Sequence, residues 1–302
     1  MLEKNKNNKH LGIIFIIMSA FFFALMALFV KLAGDLPTTQ KSFFRNLVAI
    51  PSALFVIYKS KVGFKIKKGN FGSLVLRSLF GTIGILFNFY AVDHLLLADA
   101  SMLNKMSPFF VILFSFLILK EKISLFQLTS VIVAFLGSLF VIKPSFNLTE
   151  FLPSLIGLLG GLSAGAAYTM VRKLGTNGVK GPHIVLFFSV FSCIATLPFV
   201  LFNYQHMTFS QFIMLILAGI CATGGQFSVT AAYSHAPASE ISIYDYFQII
   251  FSAVLGLVIF RQVPDRYSLL GYVIIVGSAV VMYLYNVKGL FRKKAALKEK
   301  TC

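Results

Sequence analysis

The chain has no tryptophan, few cysteines and little charge, and these shortages limit what it can be. Its 302 residues include 3 cysteines and 10 acidic residues, and only 12% are charged, whereas 58% are hydrophobic. Such a composition excludes a soluble globular domain. Cys193 and Cys221 fall within apolar runs, so no disulfide framework is predicted. Without tryptophan, tyrosines must supply the aromatic anchors at a membrane interface.

Long apolar runs predict an all-α membrane protein with ten transmembrane helices. Each run is close to the length that crosses about 30 Å of hydrocarbon at ~1.5 Å per residue. The runs cover residues 11–33, 42–58, 71–92, 97–119, 124–143, 152–172, 183–202, 210–233, 238–260 and 267–285. The sequence shows no phosphate-binding glycine loop, metal-ligand cluster or nucleophile elbow, so we predict no cofactor and no metal.

The basic residues are distributed unequally between the two sides of the predicted spans. The net charge is +17, and 19 of the 27 lysines and arginines lie in the termini and alternate loops, against 5 in the other loops and 3 within spans. Positive residues accumulate on the cytoplasmic side of membrane proteins. We therefore predict a multi-pass protein of the plasma (inner) membrane with both termini cytoplasmic, and no nucleic-acid partner.

The two halves of the chain repeat one pattern. Residues 84–124 align without a gap with 225–265, with six identities in 41 positions and coincident span boundaries. An odd number of spans in each half makes the second half enter the membrane from the opposite side, which gives an inverted repeat typical of transporters. The predicted organisation is two inverted five-helix repeats, at 1–145 and 146–287, followed by a basic cytoplasmic tail at 288–302.

Short motifs in both halves resemble those of one transporter family. They are Phe43-Phe44-Arg45, Leu76-Arg77-Ser78-Leu79-Phe80-Gly81, Leu97-Ala98-Asp99-Ala100-Ser101, Ser107-Pro108-Phe109-Phe110, Leu119-Lys120-Glu121-Lys122, Ala238-Ser239-Glu240 and Phe260-Arg261-Gln262. The whole resembles the EamA-type branch of the drug/metabolite transporter superfamily. Within that superfamily it resembles especially the S-adenosylmethionine-uptake carriers of bacteria and the G subgroup of animal solute carriers. Gln262 stands where the family usually has glutamate. The resemblance implies ten helices, inverted halves and metabolite transport, without specifying the substrate.

Four charged residues lie inside apolar runs: Arg45, Arg77, Lys105 and Asp245. Charge at membrane depth is costly, so it persists where it meets water, a partner or a substrate. From the helical rise, Lys105 and Asp245 differ in depth by only about 8 Å. We therefore predict that both line a central cavity, paired with each other when it is empty and with a metabolite when it is filled. The alternatives are a fixed ion pair between helices, or a lysine that extends to the interface.

Other polar residues at membrane depth are candidates for the same site. Arg45 lies about 5 Å inside its span by the helical rise, so it serves either as an outer contact or as a structural arginine that reaches the interface. Arg77 lies deeper, which favours an anion contact or helix pairing. The remaining candidates supply hydrogen bonds, although any of them could equally join two helices; they are Asn88, Asn104, Tyr168, Gln226, Tyr244 and Gln248.

These features predict a secondary transporter that moves a small organic metabolite by alternating access. The substrate would be amino-acid-like and zwitterionic or anionic, and the other partners would be membrane lipid and a coupling proton at Asp245 or Glu240. The protein would act as a monomer or homodimer. A membrane-embedded enzyme and a channel or accessory subunit remain as alternatives, but the intramembrane groups are too scattered in depth for an enzyme.

Overall fold

The described part of the chain is entirely helical. The computed structural model describes residues 2–60, 68–119, 125–142, 148–235 and 242–288, and these contain no strand. The helices are α1 (Leu2–Leu32), α2 (Thr38–Lys59), α3 (Phe71–His94), α4 (Leu97–Asn104), α5 (Ser107–Leu119), α6 (Leu125–Ile142), α7 (Leu148–Thr176), α8 (Gly181–Phe202), α9 (Phe209–His235), α10 (Phe247–Phe260) and α11 (Arg266–Lys288). Short 3-10 helices cover Lys68–Asn70 and Ser242–Tyr246.

Most of these helices have membrane-spanning character. Within the described residues, six stretches are long and apolar enough to cross a bilayer: His10–Leu32, Phe71–His94, Leu97–Ile118, Phe151–Thr176, Gly181–Phe202 and Phe209–Tyr233. Shorter apolar helices occur at Leu128–Phe140, Tyr244–Phe260 and Arg266–Met282. The predicted all-α membrane protein is therefore confirmed, while the full set of ten spans stays a prediction. Residues 1, 61–67, 120–124, 143–147, 236–241 and 289–302 lie outside the described part of the chain, and Glu240 is among them.

The predicted fourth span is broken near its middle. The sequence predicts one helix over 97–119, but α4 ends at Asn104, Lys105 and Met106 form a turn, and α5 begins at Ser107. Pro108 explains the break, because it has no N–H to donate and its ring clashes with the carbonyl of Asn104, four residues earlier. The second half is irregular at the aligned position, where Asp245 belongs to a 3-10 helix that precedes α10.

Helix packing in the first half has a counterpart in the second. Helix α1 packs on α9, and α7 packs correspondingly on α3. Helix α2 also packs on α9, and α8 packs on α3. Helix α1 contacts the 3-10 helix at Ser242–Tyr246 and α10, and α7 contacts α4 and α5. Helices α2 and α8 pack together, as do α6 and α11. Each of these contacts is therefore kept when α1, α2, α3 and α6 are exchanged with α7, α8, α9 and α11, and when α4 and α5 are exchanged with the 3-10 helix and α10.

Glycines allow the closest of these approaches. Gly84 of α3 and Gly160 of α7 face each other, so that a Cβ on Gly84 would lie 3.4 Å from the Gly160 carbonyl oxygen. On the same helix as Gly160, a Cβ on Gly161 would come within 2.5 Å of the Leu103 carbonyl oxygen, at the end of α4. These glycines allow α7 to pack against α3 and against the break between α4 and α5.

Lys31 and Lys41, both counted among the five basic residues of the outer side, contact the C-terminal end of α3. Lys41 is fully buried because α2 begins at Thr38, earlier than predicted, and its Nζ lies 2.6 Å from Asp93 Oδ1. Lys31 Nζ donates hydrogen bonds to the carbonyl oxygens of Val92 (2.8 Å) and Leu95 (2.6 Å). The last carbonyls of a helix lack intrahelical partners and attract cations. These contacts join α1 and α2 to α3.

Candidate functional site

A polar cavity lies between the two halves of the described chain. It contains about 520 Å³ of space that no atom fills, part of which is open to solvent. Residues from α1, α2 and α3 face residues from α7, α8 and α9, and one residue from each broken region completes the wall. The lining consists of Phe23, Met26, Arg45, Arg77, Gly81, Gly84, Ile85, Asn88, Asn104, Ala164, Ala167, Tyr168, Phe188, Gln226 and Gln248.

Two arginines of the first half share one aromatic ring of the second half. The guanidinium carbon of Arg77 lies 4.2 Å from the centre of the Phe188 ring, and that of Arg45 lies 5.7 Å from the same point. The two guanidinium carbons are therefore at most 9.9 Å apart, the sum of 4.2 and 5.7 Å. Cation–π attraction to Phe188 favours this placement, because the face of the ring is electronegative.

Neither arginine has an acidic partner among the described residues. Arg45 and Arg77 are only 1% and 2% exposed, and the ion pairs formed by described residues involve other side chains. Arg45 Nη1 donates to Asn46 Oδ1 (2.7 Å), and Arg77 Nη2 donates to Gln226 Oε1 (3.1 Å). The Nε atoms of both arginines are buried without a hydrogen-bond partner. Since a guanidinium carries five N–H donors, much of their binding capacity remains unused.

Local packing holds both guanidiniums in place. Asn46, which accepts from Arg45, donates through Nδ2 to Ser192 Oγ of α8 (2.9 Å) and to the Ser42 carbonyl oxygen (2.8 Å). Gly81 lies one turn after Arg77, and a Cβ there would clash with Arg77 Nη1 and lie 2.8 Å from Phe188 Cε2. The glycine thus leaves room for the Arg77 side chain to lie against the ring.

Lys105 and Asp245 form an ion pair beside the cavity. Lys105 Nζ lies 2.7 Å from Asp245 Oδ2, and each side chain is 4% exposed. The predicted pairing is confirmed, and burial rules out a lysine that extends to the interface. The cavity wall described above includes their neighbours Asn104 and Gln248, and the prediction that the pair itself contacts a substrate stays a prediction. Lys105 lies in the turn between α4 and α5, and Asp245 lies in the 3-10 helix before α10. The ion pair therefore joins the two helix interruptions.

The structure gathers most of the predicted site residues into one wall. Seven of them line the cavity: Arg45, Arg77, Asn88, Asn104, Tyr168, Gln226 and Gln248. Tyr244 lies outside that wall, packed against the apolar cluster around α1 and α9. The interfacial alternative for Arg45 is wrong, because α2 starts at Thr38 and the side chain turns inward to Phe188. Whether these residues bind a substrate stays a prediction.

Some cavity residues were missed from the sequence. Phe188 supports both arginines, yet nothing distinguishes it from the other phenylalanines of a chain that has 34. Phe23 and Met26 of α1 add an apolar wall that periodicity cannot separate from ordinary core packing. Phe188 could have been identified only if the packing of α8 against α2 and α3 had been known, because this packing places the ring next to the two arginines.

The all-helical fold, the apolar spans and a polar cavity between two packed halves define a multi-span membrane transporter. The chain belongs to the EamA-like transporter family, because the family model matches residues 10–143 and again residues 152–284. It is thus an EamA-type member of the drug/metabolite transporter superfamily. The family and its named relatives are transporters, so the protein is not an enzyme.

Individual relatives cover nearly the whole chain. The pseudopaline exporter CntI of Pseudomonas aeruginosa (strain UCBPP-PA14) is 30% identical over 273 residues, which are 90% of this chain and 95% of the exporter. Human solute carrier family 35 member G1 is 28% identical over 302 aligned positions, covering 94% of this chain and 80% of the carrier. A protein of known crystal structure shares the fold, with a TM-score of 0.67 at 13% identity over 89% of this chain and 95% of its own.

Proposed function

We propose that this protein is a secondary transporter that carries a small organic metabolite across the plasma membrane by alternating access. The substrate is amino-acid-like and zwitterionic or anionic. The observation that carries the proposal is the cavity between the halves, into which Arg45 and Arg77 point without an acidic partner among the described residues. Buried cations are retained where a bound group offsets the lost hydration, and a substrate anion would do so.

Two inverted five-helix repeats would supply the moving parts. The reciprocal packing of the helices supports this organisation, and so does the double match of the family model. With ten spans and the observed bias of basic residues, both termini face the cytoplasm. The cavity then lies at the junction of the repeats, where rocking of one half against the other would expose it to each side in turn.

The Lys105–Asp245 pair would link substrate binding to this motion. It joins the interrupted helix of one half to that of the other, and its neighbours Asn104 and Gln248 form part of the cavity wall. A ligand that binds Asn104 and Gln248 would change the relative stability of the states in which Lys105 and Asp245 are paired and separated. Asp245 Oδ1 is buried without a hydrogen-bond partner, and we propose it as the site of a coupling proton.

Export is the direction that we propose. The relative with 30% identity over most of both chains is named an exporter, and the arginines would collect an anion from the cytoplasm. Transport in the outward direction would require the cavity to open first on the side of the termini. Inside-out vesicles should therefore accumulate substrate that right-side-out vesicles release.

Counterflow in proteoliposomes tests the proposal. Purified protein would be reconstituted with an internal pool of amino acids or carboxylates and supplied with the same compound in labelled form outside. We expect saturable uptake of label that depends on the internal pool, and none in liposomes without protein. Currents far above carrier turnover would indicate a channel instead. Wild-type flux in both Lys105→Ala and Asp245→Asn would reject the role of the pair but not the transporter.

A further inference from the structure

We infer that the cavity selects a dianion, a small molecule with two carboxylates, and that Arg45 and Arg77 each bind one of them. This inference rests on the proposed transport function and narrows its substrate class. It follows from the charge balance of the wall, from the spacing of the two guanidiniums and from the chemistry of the other lining residues.

The charge balance requires two negative charges. Lys105 and Asp245 neutralise each other, whereas Arg45 and Arg77 have no acidic partner in the part of the chain that is described. A ligand with one negative charge would leave one buried guanidinium uncompensated. A neutral ligand would leave both guanidiniums uncompensated. A zwitterionic ligand would add an ammonium whose natural partner, Asp245, is already paired with Lys105. A molecule with two negative charges and no free ammonium therefore fits the described wall best.

The spacing allows one ligand to contact both arginines. The two guanidinium carbons lie within 9.9 Å of each other, so one small molecule can reach both. A planar guanidinium binds a carboxylate through two parallel hydrogen bonds. Each arginine donates one hydrogen bond to a side-chain amide oxygen, and each has a buried Nε without a partner. These free donors, on two different helices, are what two carboxylates need.

The rest of the wall suits the body of such a molecule. Asn88, Asn104 and Gln248 offer neutral amide groups, which can bind hydroxyl or carbonyl substituents without adding charge. Phe23, Met26 and Ile85 offer apolar contact for carbon atoms. The described wall thus combines two guanidiniums with neutral polar and apolar groups, as recognition of an organic diacid demands.

A purely structural role for the arginines is the competing explanation. In that case their stacking on Phe188 and their bonds to Asn46 and Gln226 would only join α2 and α3 to the second half. Loss of an arginine would then lower stability but would not change which ligand charge is preferred. Charge preference is therefore the property to measure.

The experiment uses ligands that share a shape and differ in charge. Succinate, succinamate and succinamide carry about two, one and no negative charges at neutral pH, and the glutarate series repeats the comparison at greater length. Each would compete in counterflow and be tested for thermal stabilisation of the purified full-length protein. We expect apparent affinity to fall by about tenfold or more with each charge removed. Phosphoglycerol and glycerol form a second arm for phosphate.

Arginine variants show which groups read the charge. Arg77→Gln and Arg45→Gln should each abolish the advantage of the diacid over its monoamide, while the double variant should no longer favour the diacid over the diamide. Arg45→Lys and Arg77→Lys keep the charge, so they should keep the preference for the diacid at lower affinity. If the glutamine variants do not fold, the wild-type charge series and the lysine variants still decide the matter.

Two results would overturn the inference. Equal competition by succinate and succinamide would reject the dianion site while leaving the transporter intact, provided that some metabolite shows counterflow. Stronger competition by phosphoglycerol than by any diacid would replace the two-carboxylate site by a phosphate site. Absence of counterflow with every compound would instead contradict the proposed function itself, so the two failures are distinguishable.

Discussion

Lys105 Nζ and Asp245 Oδ2 lie 2.7 Å apart, and they belong to different halves of the chain. Each residue sits beside an interruption in a helix, the first between α4 and α5 and the second in the 3-10 helix before α10. The pair therefore joins the two irregular segments next to the cavity. Because both side chains are buried, removal of one partner leaves the other charge unpaired and should lower the free energy of unfolding measurably.

Removal of one partner of this pair should destabilise the protein more than removal of both. Lys105→Met leaves a buried carboxylate and Asp245→Leu leaves a buried ammonium, so each should cost about 3 kcal/mol in the free energy of unfolding. The double variant should recover most of that loss. Thermal unfolding of the wild type, the two single variants and the double variant in detergent measures the coupling energy between the two residues. Additive losses would contradict the prediction.

The Lys41–Asp93 pair, in which the lysine side chain is buried and the aspartate side chain is 20% exposed, is the control for that experiment. It also joins two helices at short distance, but neither residue belongs to a helix interruption. Its single variants, Lys41→Met and Asp93→Leu, should reduce stability without changing the concentration of substrate that half-saturates counterflow. Variants of Lys105 and Asp245 should change both quantities, because their neighbours Asn104 and Gln248 form the wall.

Two glycines of α7 should respond oppositely to alanine. A Cβ on Gly161 would come within 2.5 Å of the Leu103 carbonyl oxygen, so Gly161→Ala should lower stability by about 1–3 kcal/mol. Gly175 on the same helix has nothing within 4 Å, so Gly175→Ala should raise stability by about 0.5–1 kcal/mol through helix propensity. Thermal unfolding of the two variants compares them directly. A similar shift in both would show that α7 is not held against the α4–α5 break.

Gln262 should tolerate glutamate but not alanine. Its Oε1 accepts a hydrogen bond from the Leu97 backbone N–H (3.1 Å) at the start of α4. Glutamate keeps this acceptor and adds a charge that the helix N-terminus favours, whereas alanine leaves the N–H without it. We expect Gln262→Ala to lose about 1 kcal/mol of stability and Gln262→Glu to match or exceed the wild type. Equal melting temperatures for all three would reject the capping role.

A cross-link between Gln40 and Gln205 should stop transport reversibly. Gln40 Nε2 donates to the Gln205 carbonyl oxygen (2.9 Å), and the Gln205 N–H donates to Gln40 Oε1 (3.0 Å), which joins the two halves. Alternating access requires such contacts to separate. Cysteines at both positions, in a background without native cysteines, should lose counterflow with a short thiol cross-linker and regain it on reduction.

A cross-link within one half is the control for this experiment. Thr208 and Gln211 are already hydrogen-bonded to each other at the start of α9. Cysteines there should form the same link without loss of flux, because both belong to one moving body. Full transport by the cross-linked Gln40–Gln205 variant would contradict rocking of the halves.

The sequence predicted the charged residues of the site better than their surroundings. Buried charge is rare in apolar runs, so Arg77, Lys105 and Asp245 were conspicuous, and the repeat brought the last two together. The break at Lys105 was missed because hydrophobicity continues through Pro108 and a periodic pattern does not register an interruption. Arg45 was placed too shallow because the start of α2 is polar, and polarity there reflects burial against α3 rather than exposure.

The lack of tryptophan gives the position of Phe188 an experimental value. A chain with no tryptophan has no indole fluorescence, so Phe188→Trp would place a single chromophore against both arginines. An indole offers a stronger cation–π face than a phenyl ring, which favours retention of the arrangement. The indole emission should change when a charged ligand enters the cavity, so that the fluorescence of this single residue would report ligand binding and release.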